Sequence, residues 1–336
     1  MNVTIKDIAS YTGLSISTVS IVLNGKASKN RISEETAIRV REAKEKLQYK
    51  PNLLASSLRR GFTNIIGMVI SDISNPFFMK VARVIEQEVA GYGYRVMVVG
   101  SDENDEKCIQ MIDSFLNFKV DGMILAVSEG VKEKIKHLIE QQIPFVLLDR
   151  YFKKVSANMV VMDNYRSSYE AVDHLIKRGH RKIATFRYET NMQHMLDRFV
   201  GYKAALKDNG IRYSKRLTPL IPFSGIDKTV VKENIKYLIE TIQADAIFFQ
   251  TNQTAIPGMQ AIFDLGYDIP GQVSVVCFHD NEFFSLLKPS ITVLCQPIEE
   301  MGKECAHILL QNMREEVQKS VKQVYLTSKL IVRESS

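Results

Sequence analysis

Residues 13–25 read GLSISTVSIVLNG, and this stretch decides how the N-terminal end of the chain is interpreted. Val19 and Val22 have the spacing of one buried helix face. Short hydroxyl side chains occupy most of the other positions, namely Ser15, Ser17, Thr18 and Ser20. These residues are weaker helix formers than the Lys and Glu that usually cover an exposed helix. The pattern indicates a helix whose exposed face must come close to another surface.

The first 50 residues predict three short helices. Thr4, Ser15 and Ser33 are suitable N-caps, Gly13 permits a tight turn after the first helix, and Pro51 ends the third. Apolar residues at helical spacing would form a common core, namely Ile5, Ile8, Ala9, Val19, Val22, Leu23, Val40, Ala43 and Leu47. This order matches a helix-turn-helix, whose second helix enters the major groove of DNA. The alternative is a serine-rich packing helix in an unrelated bundle.

Positive charge is concentrated at the same end. Residues 1–61 contain eleven Lys and Arg against five Asp and Glu, and the rest of the chain has equal numbers of basic and acidic residues. The entire formal charge of +6 therefore belongs to the first sixth of the chain. This asymmetry is expected if that end binds a polyanion such as DNA. A basic end that is merely solvated is the alternative.

The remaining chain is typical of an α/β body. Short β-branched runs alternate with amphipathic helical segments, which predicts parallel sheets joined by right-handed crossovers. The runs are IIGMVIS, RVMVVG, DGMILAV, PFVLLD, MVVMD, KIATF, DAIFFQ, VSVVCF and ITVLC. They divide naturally into two halves, and ligands bind at the carboxyl ends of such strands.

Composition excludes several classes of protein. No apolar run approaches the roughly 20 residues that a membrane span needs, and the N-terminus lacks the apolar segment of a secretory signal. The cysteines, Cys108, Cys277, Cys295 and Cys305, have no metal-binding spacing and favour buried thiols in a reducing compartment. We therefore expect a cytoplasmic protein with no membrane partner, metal or cofactor.

Several motifs, in a fixed order, carry a family resemblance. They include TIKDIASYTGLSISTVSIVLNG, PNLLASSLRRG, IIGMVISDISNPFF, VDGMILAV, IPFVLLDR, VVMDN, HLIKRGHRKIA, DRFVGYKAAL, IPGQVSVVCFHD and ITVLCQP. Over essentially its whole length the chain resembles the LacI/GalR family of bacterial transcription regulators. The resemblance implies an α/β fold: an N-terminal three-helix helix-turn-helix DNA-binding domain plus two Rossmann-like subdomains in a periplasmic-binding-protein-like, type I arrangement.

The resemblance also implies the domain boundaries. The helix-turn-helix domain would span residues 1–50, a hinge helix or linker 51–62, and an effector-binding and dimerisation domain 63–336. The N-subdomain of that last domain would contain about 63–162 plus 293–322, and its C-subdomain about 163–292 plus 323–336.

By the family's motif, Ile16 and Ser17 occupy the positions whose side chains read bases. The other expected DNA-binding residues of this domain are Thr4, Ser15, Thr18, Ser20, Asn24 and Tyr49, mostly through phosphates. Ile21 stands where many family members have an Arg that bonds guanine. An isoleucine can only touch a thymine methyl group or stay clear of the bases. The alternative is that Ile21 belongs to the core.

The segment NLLASSLRR, residues 52–60, is too short to be a stable helix alone in water. The resemblance implies that two such helices, one per copy of a homodimer, pack in the minor groove of a palindromic operator. Leu58 would wedge between base steps, and the contacts would come from Asn52, Ala55, Leu58 and Arg59. DNA affinity would then depend on the separation of the two copies. An ordinary flexible linker is the alternative.

The family's effector-pocket positions correspond here to Phe77, Asp149, Arg150, Asp163, His194, Arg198, Asn252, His279 and Gln296. Phe77 would stack on a sugar ring or a base, and Arg198 would bind paired hydroxyls or a carboxylate. Asp149 and Asp163 could instead cap the helices that follow them. His279 and Gln253 stand where the family commonly has an Asp, so the alternative is a cation-rich pocket that suits an anionic sugar derivative. A neutral sugar is the leading expectation on family grounds, with a purine as an alternative.

Two other classes are less consistent with the sequence. An enzyme would need a catalytic motif, and the chain has no G-x-G-x-x-G after a strand, P-loop, G-x-S-x-G or H-E-x-x-H, so no catalytic residue is predicted. A sugar-binding transport protein would need a signal peptide and would not need residues 1–61. We expect a transcription regulator that a metabolite switches allosterically, a repressor with an activator as the alternative. We also expect a homodimer, because little chain follows the last predicted strand, VYLTSKLIVRE.

Overall fold

A computed structural model describes residues 3–49, 61–223, 225–314 and 320–336. The chain divides into two units, Met1–Thr63 and Asn64–Ser336. Most of the predicted hinge lies outside the described residues, including Asn52, Ala55, Leu58 and Arg59. The hinge and its DNA contacts therefore stay predictions.

The helices and strands alternate along the larger unit. The α-helices of the described residues are α1 (Ile5–Thr12), α2 (Ile16–Leu23), α3 (Glu34–Lys46), α4 (Pro76–Ala90), α5 (Asp105–Asn117), α6 (Lys132–Glu140), α7 (Asn164–Lys177), α8 (Gln193–Asp208), α9 (Lys228–Lys236), α10 (Asn252–Asp264) and α11 (Ile298–Arg314). The strands are β1 (Ile65–Ile70), β2 (Arg95–Gly100), β3 (Gly122–Leu125), β4 (Phe145–Leu148), β5 (Met159–Met162), β6 (Ile183–Thr185), β7 (Arg187–Glu189), β8 (Leu220–Pro222), β9 (Ala246–Phe249), β10 (Ser274–Phe278), β11 (Thr292–Cys295), β12 (Gln323–Leu326) and β13 (Lys329–Ile331). Among these helices, none has both the length and the apolar character needed to cross a membrane.

The smaller unit is the predicted three-helix domain. The Thr4 amide and hydroxyl both donate to the Asp7 carboxylate at 2.7 Å, and Ser15 Oγ accepts from the Thr18 amide at 3.1 Å. Gly13 adopts a φ of 65° at the turn before α2, in the region that favours glycine. The buried core consists of Ile8, Ala9, Val19, Val22, Ala27, Ala37, Val40 and Ala43. The N-caps and the apolar stripe that the sequence predicts are thus confirmed.

The larger unit contains two main sheets. One has the strand order β12-β5-β4-β3-β1-β2 and the other β13-β11-β10-β9-β6. All neighbouring strands in both sheets are parallel except β13, which runs antiparallel to β11. The nine predicted strands are confirmed, and the β7–β8 pair is an addition that the sequence did not predict. The central strands β3, β4, β9 and β10 are buried along their whole length, as expected of parallel sheets with helices on both faces.

Two of the three crossings between the sheets lie later in the chain than predicted. β11 pairs with β10, so the chain leaves the five-stranded sheet after Cys295 and not before Thr292. β12 pairs with β5, so the chain leaves the six-stranded sheet after Leu326 and not near residue 322. The predicted subdomain ranges are wrong at these points, and VYLTSKLIVRE contributes to two strands instead of one. Strand pairing assigns a segment to its sheet, and a local sequence pattern does not reveal the partner.

The carboxyl ends of the parallel strands deliver the residues of a cleft. Asp72, Glu103 and Asp149 follow β1, β2 and β4 in one sheet, and Thr251 and His279 follow β9 and β10 in the other. These side chains line a common cavity. The larger unit therefore follows the rule that parallel α/β sheets bind ligands at this edge.

Helices α7 and α8 pack so closely that one position accepts only glycine. A Cβ atom added at Gly201 would lie 2.2 Å from the carbonyl oxygen of Tyr165. Because that neighbour is backbone, it cannot turn aside as a flexible side chain would. The two helices would have to separate to admit a methyl group.

We expect Gly201→Ala to lower the free energy of unfolding of the larger unit by about 2 kcal/mol, because overpacking forces the backbone to shift. Urea unfolding of the full chain, followed by circular dichroism, measures the change. Gly91→Ala is the matched control: Gly91 has a φ of −61° and open space around the added atom. Equal midpoints for Gly201→Ala and the parent would contradict the close packing of the two helices.

Candidate nucleic-acid interface and ligand pocket

The exposed face of α2 is short-chained and uncharged. At about 100° per residue, one arc of the helix carries Ile16, Ser17, Ser20, Ile21 and Asn24. Val19 and Val22 lie on the opposite side and are buried against α1 and α3. Ile16 is 45% exposed. Ile21 is partly exposed and is not among the side chains that pack on the core formed by residues 3–49.

Hydroxyl groups at the start of α2 bond one another. Ser15 Oγ lies 2.8 Å from both Ser17 Oγ and Thr18 Oγ1, besides capping the helix. At the other end, Asn24 Nδ2 donates to the Ser20 carbonyl oxygen at 2.7 Å. Each hydroxyl oxygen has two lone pairs and one proton, so capacity remains for phosphate oxygens. These contacts fix the rotamers of the predicted phosphate-binding side chains.

Thr4 and Tyr49, the two remaining predicted DNA-binding residues of the smaller unit, lie outside α2. Thr4 caps α1 through Asp7, and these bonds from Thr4 lower the pKa of the Asp7 carboxyl. Tyr49 packs at the edge of the three-helix core, and its amide donates to the Lys44 carbonyl oxygen at 2.9 Å. Both roles are structural, and their DNA contacts stay predictions.

Seven of the nine predicted effector residues line one cavity of the larger unit, whose volume is about 50 Å³. They are Phe77, Asp149, Arg150, His194, Arg198, Asn252 and His279. Asp163 does not line it: this carboxylate accepts from the Arg166 amide and caps α7. Gln296 supports the cavity indirectly, because its Oε1 accepts a hydrogen bond from His279 Nδ1.

Arg198 is the most constrained charge of the pocket. Only 2% exposed, it donates from Nε to Asn164 Oδ1 at 2.8 Å and from Nη1 to the Gln250 carbonyl oxygen at 2.6 Å. Its guanidinium lies 3.7 Å from the centroid of the Phe278 ring. Burial lowers the pKa of Arg198 to about 10 although the Asp149 carboxylate favours the charged form.

Asp149 follows β4 in the six-stranded sheet and lines the same cavity as Arg198. It has a φ of 64°, in the left-handed region that is costly for a residue other than glycine. Its Oδ1 is buried and has no hydrogen-bond partner within the described part of the chain. Burial raises the pKa of the Asp149 carboxyl, against the pull of Arg198 and Arg150. A strained residue with an unused acceptor in a cleft is a feature of binding sites.

Arg150 is neutralised by Glu103, which the sequence did not predict. Its Nη1 and Nη2 donate to Glu103 Oε2 and Oε1 at 2.6 and 2.5 Å, and both side chains are almost fully buried. Such a bidentate pair fixes the guanidinium plane. Glu103 comes three residues after β2. Because ligands bind at the carboxyl ends of parallel strands, this position could have identified Glu103 from the sequence. Phe223, a second unpredicted lining residue, follows the short strand β8, which has no sequence signal.

Both histidines of the pocket are neutral. Burial, followed by the Arg150 charge, holds the pKa of His194 well below its usual value. Burial, followed by the Arg198 charge, lowers the pKa of His279 to about 3. Because Gln296 Oε1 accepts from Nδ1 of His279, Nε2 of that ring remains an acceptor.

The charges of the cavity nearly cancel. Three acids, Asp72, Glu103 and Asp149, face two arginines, Arg150 and Arg198, and the histidines contribute no charge. This inner cavity is therefore not cation-rich, because Glu103 pairs with one of the arginines. The balance favours an uncharged ligand group there, whereas the neighbouring outer chamber carries Lys132, Lys153 and Lys154 beside Glu129.

A wider chamber of about 440 Å³ adjoins the cavity, and Arg150 and His194 line both. Contacts that bridge the two subdomains close its walls. Glu129 accepts from the amide and side chain of Asn191 at 2.9 and 2.7 Å. The Tyr151 hydroxyl donates to Asp197 at 2.6 Å. The cleft thus has a tight inner part and a roomier outer part.

Known proteins resemble the chain over its full length. Residues 4–52 match the family described as bacterial regulatory proteins, lacI family, and residues 172–336 match a periplasmic binding protein-like domain. The transcriptional regulator RegA of Clostridium saccharobutylicum is 31% identical, with all of both chains covered. The ribose operon repressor of Halalkalibacterium halodurans is 30% identical, over 99% of this chain and 97% of that protein.

Solved structures agree on the fold. A lac repressor dimer bound to operator and the anti-inducer ONPF superposes with a TM-score of 0.84, at 23% identity and over 100% of this chain and 99% of that one. The regulator CelR in complex with cellobiose gives a TM-score of 0.73, at 24% identity and over the whole of both chains. The family match at the helix-turn-helix and the full-length relatives lead to one conclusion. The chain belongs to the LacI family of bacterial regulatory proteins and is a DNA-binding transcriptional regulator, not an enzyme.

Proposed function

We propose that this regulator acts in the cytoplasm as a homodimeric repressor of a palindromic operator and is switched by an uncharged sugar or sugar derivative. The observation that carries the ligand class is the charge balance of the inner cavity, whose arginines are offset by carboxylates and whose histidines are neutral. A sugar has apolar ring faces and hydroxyls that both donate and accept, which suits such a lining. The cellobiose complex of CelR and the name of the ribose operon repressor support a sugar as ligand.

Unused hydrogen-bonding atoms of the pocket fit hydroxyl groups. Asp149 Oδ1, Arg150 Nε and His194 Nδ1 are buried and lack partners within the residues that the structure covers. Each such atom costs about 1–3 kcal/mol when it stays unsatisfied. A polyhydroxylated ligand would recover part of this cost, and Phe77 and Phe223 offer aromatic faces for its ring.

The tightness of the cavity supplies the switch. A water molecule takes up about 30 Å³ in the liquid, so about 50 Å³ is far less than a sugar ring needs. A ligand ring that enters this inner cavity therefore favours a wider cleft, at the expense of bridging contacts such as the one between the Phe77 and His279 rings at 5.9 Å. The salt bridge between Lys80 and Glu282, at 3.0 Å, spans the same cleft. Unequal affinity for two cleft geometries is what couples a ligand to a conformational equilibrium.

A thermal-shift screen of the full chain tests the ligand class, with neutral sugars, sugar acids, sugar phosphates and purines as probes. We expect a neutral sugar to raise the melting temperature most.

Asn252→Ala should weaken the binding of that sugar about tenfold, because one hydrogen bond inside the pocket is lost. DNA binding without ligand should be unchanged.

Asn234→Ala is the matched control, since Asn234 lies on α9 and its amide bonds its own helix at Val230. Strongest stabilisation by a sugar phosphate would contradict the uncharged ligand. Equal sugar affinity of the parent and Asn252→Ala would place the ligand elsewhere.

The neutral histidine predicts a pH dependence of stability. Folded His279 has a pKa of about 3, whereas an unfolded histidine titrates near 6.5. The contribution of His279 to the free energy of unfolding is therefore fully present above about pH 6.5. It is lost as the pH falls towards 3, because only the unfolded chain takes up the proton in this range. Between about pH 7.5 and 5.5, His279→Gln should lose about 1 kcal/mol less than the parent in urea unfolding.

The exposed His137 on α6 provides the control, because His137→Gln removes no buried imidazole. Parallel stability curves for the parent and His279→Gln would show that His279 is not held neutral in the folded chain.

The homodimer is tested by sedimentation of the chain on a selected palindromic duplex. Two-fold dimers are the usual readers of palindromes, because a single helix-turn-helix contacts few base pairs. We expect a complex with two protein copies per duplex. A complex with one copy, at concentrations that saturate the duplex, would contradict the proposal.

A further inference from the structure

The helix that enters the major groove lacks the side chains that usually read bases. Direct polar readout uses Arg or Lys on guanine, Asn or Gln on adenine, and Asp or Glu on cytosine. The helix α2, ISTVSIVL, contains none of these six residue types. Asn24 follows it, but its amide group donates to the Ser20 carbonyl oxygen and lies 3.3 Å from Ser20 Oγ.

The remaining polar groups on this face discriminate weakly. A serine hydroxyl both donates and accepts, so it can bond to any base edge. Ser17 and Ser20 are also too short to reach far into the groove. The hydroxyls can help the helix to approach closely, but they do not specify a base pair.

Two isoleucines supply the distinctive chemistry. Ile16 and Ile21 lie at the two margins of the exposed arc, about 140° apart at 100° per residue, with the polar residues between them. Ile16 is 45% exposed and Ile21 is partly exposed, and neither belongs to the three-helix core. The one apolar group that base pairs present in the major groove is the thymine C5-methyl.

We infer that α2 reads its operator chiefly through thymine methyl groups, one against Ile16 and one against Ile21 in each half-site. This rests on the assignment of the chain as a DNA-binding regulator and names the base chemistry that it recognises. Removing a thymine methyl then exposes the facing isoleucine, and the affinity falls for a reason unrelated to base pairing.

Deoxyuridine isolates this effect, because it pairs like thymidine and lacks only the methyl group. A duplex is first selected from a random palindromic pool with the full-length protein, and each thymine is then replaced singly by deoxyuridine. We expect about three- to fivefold weaker binding at two positions per half-site, one for each isoleucine. Other thymines should be insensitive.

The protein side of the test assigns the positions. Ile16→Ala should abolish the sensitivity at one position and Ile21→Ala at the other, while 5-methylcytosine placed there should restore part of the binding of the parent. Ile38→Ala is the matched control, because Ile38 on α3 is 46% exposed and lies outside the arc. It should leave every deoxyuridine effect unchanged.

Three results would overturn the inference. The first is that no thymine position is sensitive to deoxyuridine. The second is that the sensitivity at a position survives in both Ile16→Ala and Ile21→Ala. The third is that Ile38→Ala abolishes the sensitivity in the same way as Ile16→Ala or Ile21→Ala. Failure to select any preferred duplex would instead count against the assignment as a sequence-specific regulator. Circular dichroism and retained salt-dependent binding to random DNA establish that the alanine variants are folded.

Discussion

Arg198 is a full positive charge held almost entirely out of water, and the ligand pocket is organised around the groups that keep it there. Asn164 Oδ1 on α7 and the carbonyl oxygen of Gln250 after β9 accept hydrogen bonds from its guanidinium, and the Phe278 ring covers its face. An isolated buried charge is costly, so these partners cannot be lost singly without destabilising the fold. The same packing that brings α7 against α8 at Gly201 therefore also fixes the polarity of the cleft.

The sequence predicts what depends on near neighbours. Ser15 and Ser33 cap helices through bonds to residues three positions away, and the nine β-branched runs become strands because their pattern is local. Two of the crossings were wrong because sheet membership depends on pairing partners: β12 pairs with β5, far away in sequence, and β11 stays with β10 in the five-stranded sheet. Asp163 shows the same limit, since a cap and a ligand-binding carboxylate have the same local pattern.

The pocket was predictable in membership but not in charge. Family positions gave most lining residues, yet the neutral character depends on Glu103, which reaches Arg150 only because β2 and β4 end at the same edge of one sheet. Burial then removes the charge from both histidines. A count of basic residues in the sequence includes neither effect, and for this reason it suggests an anionic ligand.

Charge and base reading are separated within the DNA-binding unit. The Lys and Arg that give the first 61 residues their net charge lie outside α2, so they suit phosphates, which carry affinity but no sequence information. The exposed face of α2 then contributes close fit and apolar contacts to the base edges. A regulator of this design can search DNA through one set of residues and discriminate through another.

The three crossings of the larger unit have a mechanical consequence. The first crossing leaves β5 at Met162, which pairs with Leu326 of β12. The other two crossings lie side by side, because Cys295 at the end of β11 pairs with Lys329 at the start of β13. Three short covalent links side by side resist stretching and sliding, but they bend together. We therefore expect bending at these links, and not sliding of one half past the other, to be the motion through which a ligand in the cleft acts.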